Sequence, residues 1–185
     1  QGSIFVAIEG TKIDSHNFIS EAKAKGTIFT IGSKPTGDPF NEPDLIVENT
    51  RAVLGRVASL LLGDPSALLS IYGVTGTNGK TTTTYILKSM FEAMKKEYCV
   101  IGTTGIFIND QKLEASQTTP DSLVLQKLFA KLLKDKIENV AMEVSSHSLD
   151  QMRVYGTDFL AVGFTNLTQD HLDYHENFEN YFEAK

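Results

Sequence analysis

GVTGTNGKTTTT, residues 73–84, joins an apolar stretch, 68–72, to a segment, 85–94, whose apolar residues recur at helical spacing. Gly76 and Gly79 permit positive φ and let backbone N–H groups approach an anion, and the N-terminus of the following helix adds partial positive charge. Lys80 is placed to reach the β and γ phosphates of a nucleotide, and its neighbour Thr81 to offer a hydroxyl to a magnesium ion. The segment predicts a strand, a phosphate-binding loop and a helix, with ATP as the ligand.

The spacing of this loop departs from the usual GxxxxGK[ST] pattern. That pattern requires glycine at position 74, where this chain has Val74, and Gly73 comes one residue earlier. A glycine turn capped by threonines is the simpler alternative. The strand before the loop and the helix after it favour the phosphate-binding interpretation.

Composition limits the classes of function. The 185 residues fit one large domain or two small ones, and 41% hydrophobic content is ample for a core. A net charge of −6 with scattered basic residues argues against a nucleic-acid partner or an anionic membrane surface. Cys99 is the only cysteine, and no apolar run reaches the roughly 18 residues that span a bilayer. We therefore expect a cytoplasmic protein with no membrane partner.

Strand and helix patterns alternate along the chain, which favours an α/β fold with mostly parallel sheets. A small α/β domain is predicted over 1–66 and a second domain, with the phosphate loop, over 67–185. Gly63, Asp64, Pro65 and Ser66 form the predicted linker. Because a strand starts almost at once and the last residues read as a helix without a stop signal, we expect a piece of a longer enzyme.

Polar residues follow two apolar strands of the second domain. Glu143 ends one strand, and Asn166, Asp170 and His171 follow another. Ligand-binding groups lie at this edge of α/β sheets, and a carboxylate beside a phosphate loop suits magnesium. Arg153 suits a carboxylate or phosphate, although a surface ion pair is the alternative.

Two further groups have both a plain and a functional interpretation. The turn Gln117–Asp121 leads into a helix N-terminus, where it either caps the helix or binds an anion. Capping is likewise the plain role of the serines after Glu143.

The spacing of the four histidines argues against a structural zinc site. They are His16, His147, His171 and His175.

Several motifs resemble those of the Mur ligases: GTNGKTTT, TTPDS, MEVSSHSLDQMRV, FTNLTQDHLDYH and a final EAK. FVAIEGTKIDSHNFI is similar to the latter half of the family's N-terminal uridine-nucleotide domain. The resemblance implies an incomplete UDP-substrate-binding domain over 1–66 and an incomplete central ATP-binding domain over 67–185, without the family's C-terminal domain. It also implies that these residues alone are inactive as a ligase.

The reaction implied by the resemblance is ATP-dependent peptide-bond formation in peptidoglycan synthesis. ATP would phosphorylate the free side-chain carboxylate of D-glutamate in UDP-MurNAc-L-Ala-D-Glu, and a diamino acid would attack the acyl phosphate. Lysine, meso-diaminopimelate and other diamino acids all stay open. We expect ATP and Mg²⁺ as cofactors and a monomeric enzyme.

The resemblance also assigns roles to individual residues. The ATP phosphates would be held by Gly76, Thr77, Asn78, Gly79, Lys80, Thr81 and Thr82. The dipeptide substrate would contact Thr118, Thr119, Ser145, Gln151 and Arg153, and its uridine end Thr11, Lys12 and Ile13. Magnesium would be held by Thr81, Glu143, His171 and Lys185, the last as a carbamate, because an unmodified lysine would repel the ion. The expected catalytic set is Lys80, Glu143, His171 and Lys185.

One departure and two alternatives remain. Gln117 stands where the family often has asparagine, which keeps the amide on a longer arm and leaves its substrate contact open. A folylpolyglutamate synthetase-like ligase would share a similar loop, but SSHSLDQMRV, TTPDS and FVAIEG argue against it. A nucleotide-binding switch would bind ATP without any dependence on a UDP-muramoyl dipeptide.

Overall fold

The computed structural model describes residues 2–10, 13–113 and 117–185. The chain divides into two compact units, Gln1–Leu54 and Gly55–Lys185. The division falls within helix α2 (Thr50–Leu61), earlier than the boundary predicted after residue 66. The second half of α2 belongs to the later unit, in which a Cβ on Gly55 would lie 2.2 Å from the carbonyl oxygen of Tyr155. The substrate-binding identity of the first unit stays a prediction.

The first unit contains a three-stranded parallel sheet in the order β1-β2-β3. Its elements are β1 (Ser3–Val6), a 3₁₀ turn (Ser15–Phe18), α1 (Ile19–Ala24), β2 (Thr27–Gly32) and β3 (Leu45–Ile46). Asp14 caps the 3₁₀ turn and accepts a 2.6 Å hydrogen bond from Nδ1 of the buried His16. The Nε2 atom of His16 accepts from the Ser33 backbone N–H at 2.9 Å, so the imidazole ties the turn to the end of β2.

The second unit contains a six-stranded sheet in the order β7-β6-β5-β8-β4-β9. The strands β5, β8, β4 and β9 are parallel, and β6 and β7 add an antiparallel hairpin. In chain order the elements are a 3₁₀ turn (Pro65–Leu68), β4 (Ser70–Thr75), α3 (Lys80–Ala93), β5 (Tyr98–Gly102), β6 (Gly105–Ile108), β7 (Gln111–Leu113), α4 (Ser122–Lys134), β8 (Asn139–Glu143), α5 (Ser146–Asp150), β9 (Ala161–Phe164), α6 (Leu172–His175) and α7 (Phe178–Glu183).

Buried apolar residues cover both faces of this sheet. The larger cluster includes Cys99 and Ile101 of β5 with Leu125 and Phe129 of α4. The smaller includes Tyr98 and Val100, the alternate residues of β5, with Phe91 of α3. Alternate strand residues point to opposite faces, so α3 and α4 cover opposite sides of the sheet. The burial on both faces explains why the central strands are continuous apolar runs in the sequence.

The predicted mixed α/β fold with a mostly parallel sheet is confirmed. The hairpin predicted around Asn109 and Asp110 is the β6–β7 turn, and the helix predicted from Asp121 starts at Ser122 with Asp121 as its N-cap. In the described part of the chain, the longest apolar helix falls short of what crossing a bilayer requires.

Candidate functional site: a nucleotide and substrate cavity

The phosphate loop joins β4 to α3, as predicted, and the segment after β9 holds it in shape. Gly76 has a φ of 135°, and a Cβ there would lie 2.0 Å from the Thr165 hydroxyl oxygen, so any other residue would be strained at this position. The backbone N–H of Thr77 donates to the Asn166 carbonyl at 2.9 Å. The Asn166 side chain both accepts from the Asn78 N–H and donates to the Asn78 carbonyl, each at 3.0 Å. The loop is therefore fixed by contacts distant in sequence.

A buried pair of hydroxyl groups adds a second anchor. The Thr77 hydroxyl lies 2.8 Å from the hydroxyl of Tyr181, which is fully buried on α7. The same threonine oxygen lies 3.0 Å from the Thr168 carbonyl and accepts from the Thr168 N–H at 2.9 Å. Thr77 was expected to bind phosphate, but its hydroxyl is occupied by these internal bonds. The Thr77 side chain therefore stabilises the loop, and its predicted phosphate contact stays a prediction.

Two lysines converge on one carbonyl oxygen of the loop. Lys80 Nζ donates to Gly76 O at 2.8 Å and to Thr77 O at 2.9 Å, and Lys185 Nζ donates to the same Gly76 O at 2.8 Å. Burial, and then repulsion from Lys80, lower the pKa of Lys185 to about 8. Burial also lowers the pKa of Lys80, against the opposing field of Glu143. The site thus concentrates positive charge at the loop that is predicted to bind phosphate.

Glu143 ends β8 and is 1% exposed. Its Oε1 accepts from the Thr81 hydroxyl at 2.9 Å and from the Thr103 backbone N–H at 3.0 Å, and its Oε2 accepts from the Thr103 hydroxyl at 3.1 Å. A Cβ on Gly102 would lie 2.2 Å from Oε1, so the carboxylate occupies the space that a side chain would need. Charge-assisted bonds of this kind compensate for removing a carboxylate from water.

The turn before α4 is tied to the end of β8. The Thr119 hydroxyl is fully buried, donates to the Glu143 carbonyl at 2.9 Å and accepts from the Ser145 N–H at 3.2 Å. The Ser145 side chain caps α5 by accepting from the Ser148 N–H. Arg153 donates to the Thr119 carbonyl at 3.0 Å and to Gln151 Oε1 at 2.7 and 3.1 Å. The predicted capping role of Ser145 is confirmed, and the substrate contacts of these residues stay predictions.

One cavity of about 460 Å³ is lined both by Lys80, which is predicted to bind ATP, and by Arg153, which is predicted to bind the dipeptide substrate. Its lining includes Lys80, Thr103, Gln117, Thr118, Ser145, Ser146, His147, Arg153, His171 and Lys185. His171 follows β9, has a φ of 54°, and packs its ring 4.8 Å from that of His147. Glu143 lies against this cavity through its bonds to Thr103.

Some predicted residues lie elsewhere or are not described. Thr11 and Lys12 fall outside the described residues, and Ile13 is 62% exposed in the first unit. Thr103 and Tyr174 were missed by the sequence interpretation, although both bond to predicted site residues. The position of Thr103 directly after strand β5 is the signal that could have identified it.

The Mur ligase middle domain matches residues 74–185, more than half of the chain. The UDP-N-acetylmuramoyl-L-alanyl-D-glutamate--2,6-diaminopimelate ligase 1 of Clostridium acetobutylicum is 46% identical over 182 residues, which are 98% of this chain and 38% of that protein.

Two solved structures were also compared over the whole chain. A UDP-N-acetylmuramoyl-L-alanyl-D-glutamate--2,6-diaminopimelate ligase superposes with a TM-score of 0.84 at 30% identity, and the chain spans 38% of it. The MurF ligase from Thermotoga maritima in complex with ADP superposes with a TM-score of 0.56 at 22% identity, and the chain spans 39% of it, which supports the fold alone. With the domain match over residues 74–185, these findings show that the chain belongs to the Mur ligase family.

Proposed function

We propose that the whole protein is an ATP-dependent ligase that joins a diamino acid to UDP-MurNAc-L-Ala-D-Glu through an acyl phosphate. The observation that carries this proposal is the shared cavity. The phosphate-loop lysine Lys80 and the anion-binding candidate Arg153 line the same 460 Å³ space, together with Lys185. A carboxylate bound near Arg153 and a γ-phosphate bound near Lys80 would therefore be neighbours, which phosphoryl transfer between them requires.

Lys80 is the proposed stabiliser of charge on the transferring phosphoryl group. In this structure its ammonium group donates to two carbonyl oxygens of its own loop, Gly76 O and Thr77 O. A phosphate oxygen is a stronger partner for an ammonium group than a carbonyl is, so ATP would draw Lys80 away from these contacts. Preorganised positive charge at the reacting centre is the main electrostatic source of catalysis in phosphoryl transfer.

The residues around Glu143 fit a magnesium ion. Mg²⁺ prefers oxygen ligands and is commonly held by one or two carboxylates together with substrate phosphates. The Glu143 carboxylate and the Thr81 hydroxyl lie 2.9 Å apart beside the phosphate loop. Across the described ranges, no three His, Cys, Asp or Glu side chains cluster as a metal cage. When bound, the ion would neutralise charge on the phosphates; the proposed further ligand from the chain is His171.

Lys185 is the proposed site of carbamylation. Only the neutral amine attacks CO₂, forming an N–C bond and releasing a proton. Burial and the neighbouring Lys80 lower the pKa of Lys185 to about 8, which raises the neutral fraction near physiological pH. The modification would replace an ammonium group by a carboxylate and reduce the repulsion between the two lysines.

We further propose 2,6-diaminopimelate as the incoming amino acid. The support is the relative from Clostridium acetobutylicum, a 2,6-diaminopimelate ligase by name, which is 46% identical to this chain. The chain spans 38% of that relative, so the residues that select the amino acid are to be sought in the full-length protein.

A phosphate-release assay on the full-length protein tests the proposal. The assay contains ATP, Mg²⁺, UDP-MurNAc-L-Ala-D-Glu and, in separate reactions, 2,6-diaminopimelate or lysine. We expect turnover that depends on the dipeptide and is faster with 2,6-diaminopimelate. Turnover without the dipeptide, or none in its presence, contradicts the ligase assignment. Residues 1–185 alone are expected to form no tripeptide.

A further inference from the structure

A row of hydrogen bonds leads from α6 to Arg153. Tyr174 donates its hydroxyl hydrogen to Asp150 Oδ2 at 2.6 Å. Gln151 Nε2 donates to the same phenol oxygen at 3.0 Å, and Gln151 Oε1 accepts from Arg153. None of the sequence patterns assigned a role to Tyr174 or Asp150.

The chemistry of these groups fixes which group donates and which accepts in each hydrogen bond of the row. An ionised carboxylate only accepts, so the single hydrogen of the Tyr174 hydroxyl goes to Asp150. The phenol oxygen must then accept from Gln151, which turns the amide nitrogen toward the tyrosine. The amide oxygen is left facing Arg153, whose guanidinium only donates. A flipped amide would place donor against donor at Arg153 and leave the phenol oxygen facing an oxygen without a hydrogen between them.

Ring packing holds Tyr174 in the position that these hydrogen bonds require. Its ring centroid lies 4.2 Å from that of His147 and 4.8 Å from that of His175, so the phenol is enclosed by two imidazole rings. The 2.6 Å hydrogen bond to Asp150 Oδ2 fixes the hydroxyl hydrogen. Both the ring and its hydrogen are therefore available as fixed parts of the row.

Arg153 is held at the far end of the row. Two of its N–H groups bond to Gln151 Oε1, and a third bonds to the Thr119 carbonyl at 3.0 Å. These acceptors lie on two different elements, the end of α5 and the turn before α4, and together they set the plane of the guanidinium. A guanidinium in a fixed plane recognises a carboxylate or phosphate with less loss of side-chain entropy.

We propose that Tyr174, held by Asp150, is a positioning residue that orients the Gln151 amide and thereby the Arg153 guanidinium for the UDP-MurNAc-dipeptide. The inference rests on the proposed function, because that function supplies the anionic substrate at Arg153. Tyr174 itself is not required to touch the substrate.

The test compares two tyrosine variants of the full-length enzyme. Tyr174→Phe removes the hydroxyl from the row, and Tyr155→Phe removes a hydroxyl from a residue that is 51% exposed. We expect Tyr174→Phe to raise the KM for the dipeptide about two- to tenfold, the effect of one hydrogen bond, while the KM for ATP stays within about twofold. Tyr155→Phe should change neither constant. An unchanged dipeptide KM in Tyr174→Phe, or an equal rise in both KM values, overturns the inference.

A second pair of variants separates positioning from loss of fold. Gln151→Glu supplies Arg153 with an acceptor whichever way the group turns, so adding Tyr174→Phe to it should raise the dipeptide KM by less than about twofold. Asp150→Asn, at an exposed position, replaces a carboxylate that only accepts by an amide that accepts through one atom and donates through the other, and should give a rise smaller than that of Tyr174→Phe. Additive effects of Tyr174→Phe and Gln151→Glu would overturn the inference. Absence of dipeptide-dependent turnover in the wild-type enzyme would instead overturn the proposed function, and with it the substrate that Arg153 is positioned for.

Discussion

The two sides of the cavity are built differently. On the proposed phosphate side, residues 76–82, the loop backbone is held by hydrogen bonds from Thr165 and Asn166. On the proposed substrate side, residues 117–119 and 151–153, side chains hold one another, as Gln151 holds Arg153. Backbone geometry changes little when one side chain is replaced, whereas a row of side chains depends on every member. We therefore expect that replacing one charged group on the phosphate side lowers kcat strongly. Replacing one member of the side-chain row on the substrate side should raise the KM for the dipeptide by a smaller factor.

The largest effect is expected from the charged group of the phosphate side. Lys80→Met should lower kcat for dipeptide-dependent phosphate release by about a hundred- to a thousandfold, because the substitution removes positive charge from the transferring phosphoryl group. Lys88→Met, two turns further along α3 and paired with Glu92, is the matched control and should stay within about twofold. A Lys80→Met enzyme with nearly normal kcat would contradict the assigned role.

The second effect concerns Lys185, which bonds to the Gly76 carbonyl of the phosphate side. In enzyme depleted of CO₂, activity should return on adding CO₂ at a rate that rises about tenfold per pH unit up to pH about 8 and then levels off. The recovery rate rises with pH because the protonated amine, which cannot attack CO₂, predominates below the pKa of about 8. The recovery rate is measured at constant dissolved CO₂. A rate that still rises steeply above pH 9.5 would indicate an ordinary lysine, and Lys185→Arg should show no response.

A smaller effect is expected where the two sides meet, at the Glu143 carboxylate. Gly102→Ala should lower the free energy of unfolding by about 1–3 kcal/mol, because its Cβ would lie 2.2 Å from Glu143 Oε1. The displaced carboxylate should also raise the Mg²⁺ concentration needed for half-maximal activity. Gly163→Ala, whose Cβ would have no atom within 4 Å, is the matched control for chemical denaturation and Mg²⁺ titration. Equal behaviour of the two variants would contradict the proposed crowding.

The smallest effect is expected beneath the phosphate loop. Tyr181→Phe removes the 2.8 Å contact with the Thr77 hydroxyl, which keeps its bonds to Thr168. We expect a loss of about 0.5–1.5 kcal/mol in the free energy of unfolding, measured by urea denaturation, with little change in kcat. Tyr155→Phe should be neutral. A large fall in kcat without loss of stability would show that the hydroxyl acts on the reaction rather than on the loop.

The elements were largely predictable because the central strands are buried on both faces and the main helices have one apolar face. These features leave continuous or periodic apolar runs in the sequence, as in 98–101 and 122–134. The phosphate loop was also predictable, since its function depends on residues that adjoin in sequence. The departure at Val74 has a structural explanation, because Val74 is buried in β4 and Gly73 leaves room for the Phe159 ring.

The sequence by itself determined the mixed α/β fold, the glycine loop between β4 and α3 and the family resemblance. Only the tertiary structure decided that Thr77 faces inward, that Lys80 and Lys185 share one carbonyl oxygen, and that Thr103 and Tyr174 support Glu143 and Gln151. The physical reason is range. Apolar periodicity and glycine loops act between near neighbours in the chain, whereas a hydrogen bond between residues tens of positions apart exists only after the strands have set their order.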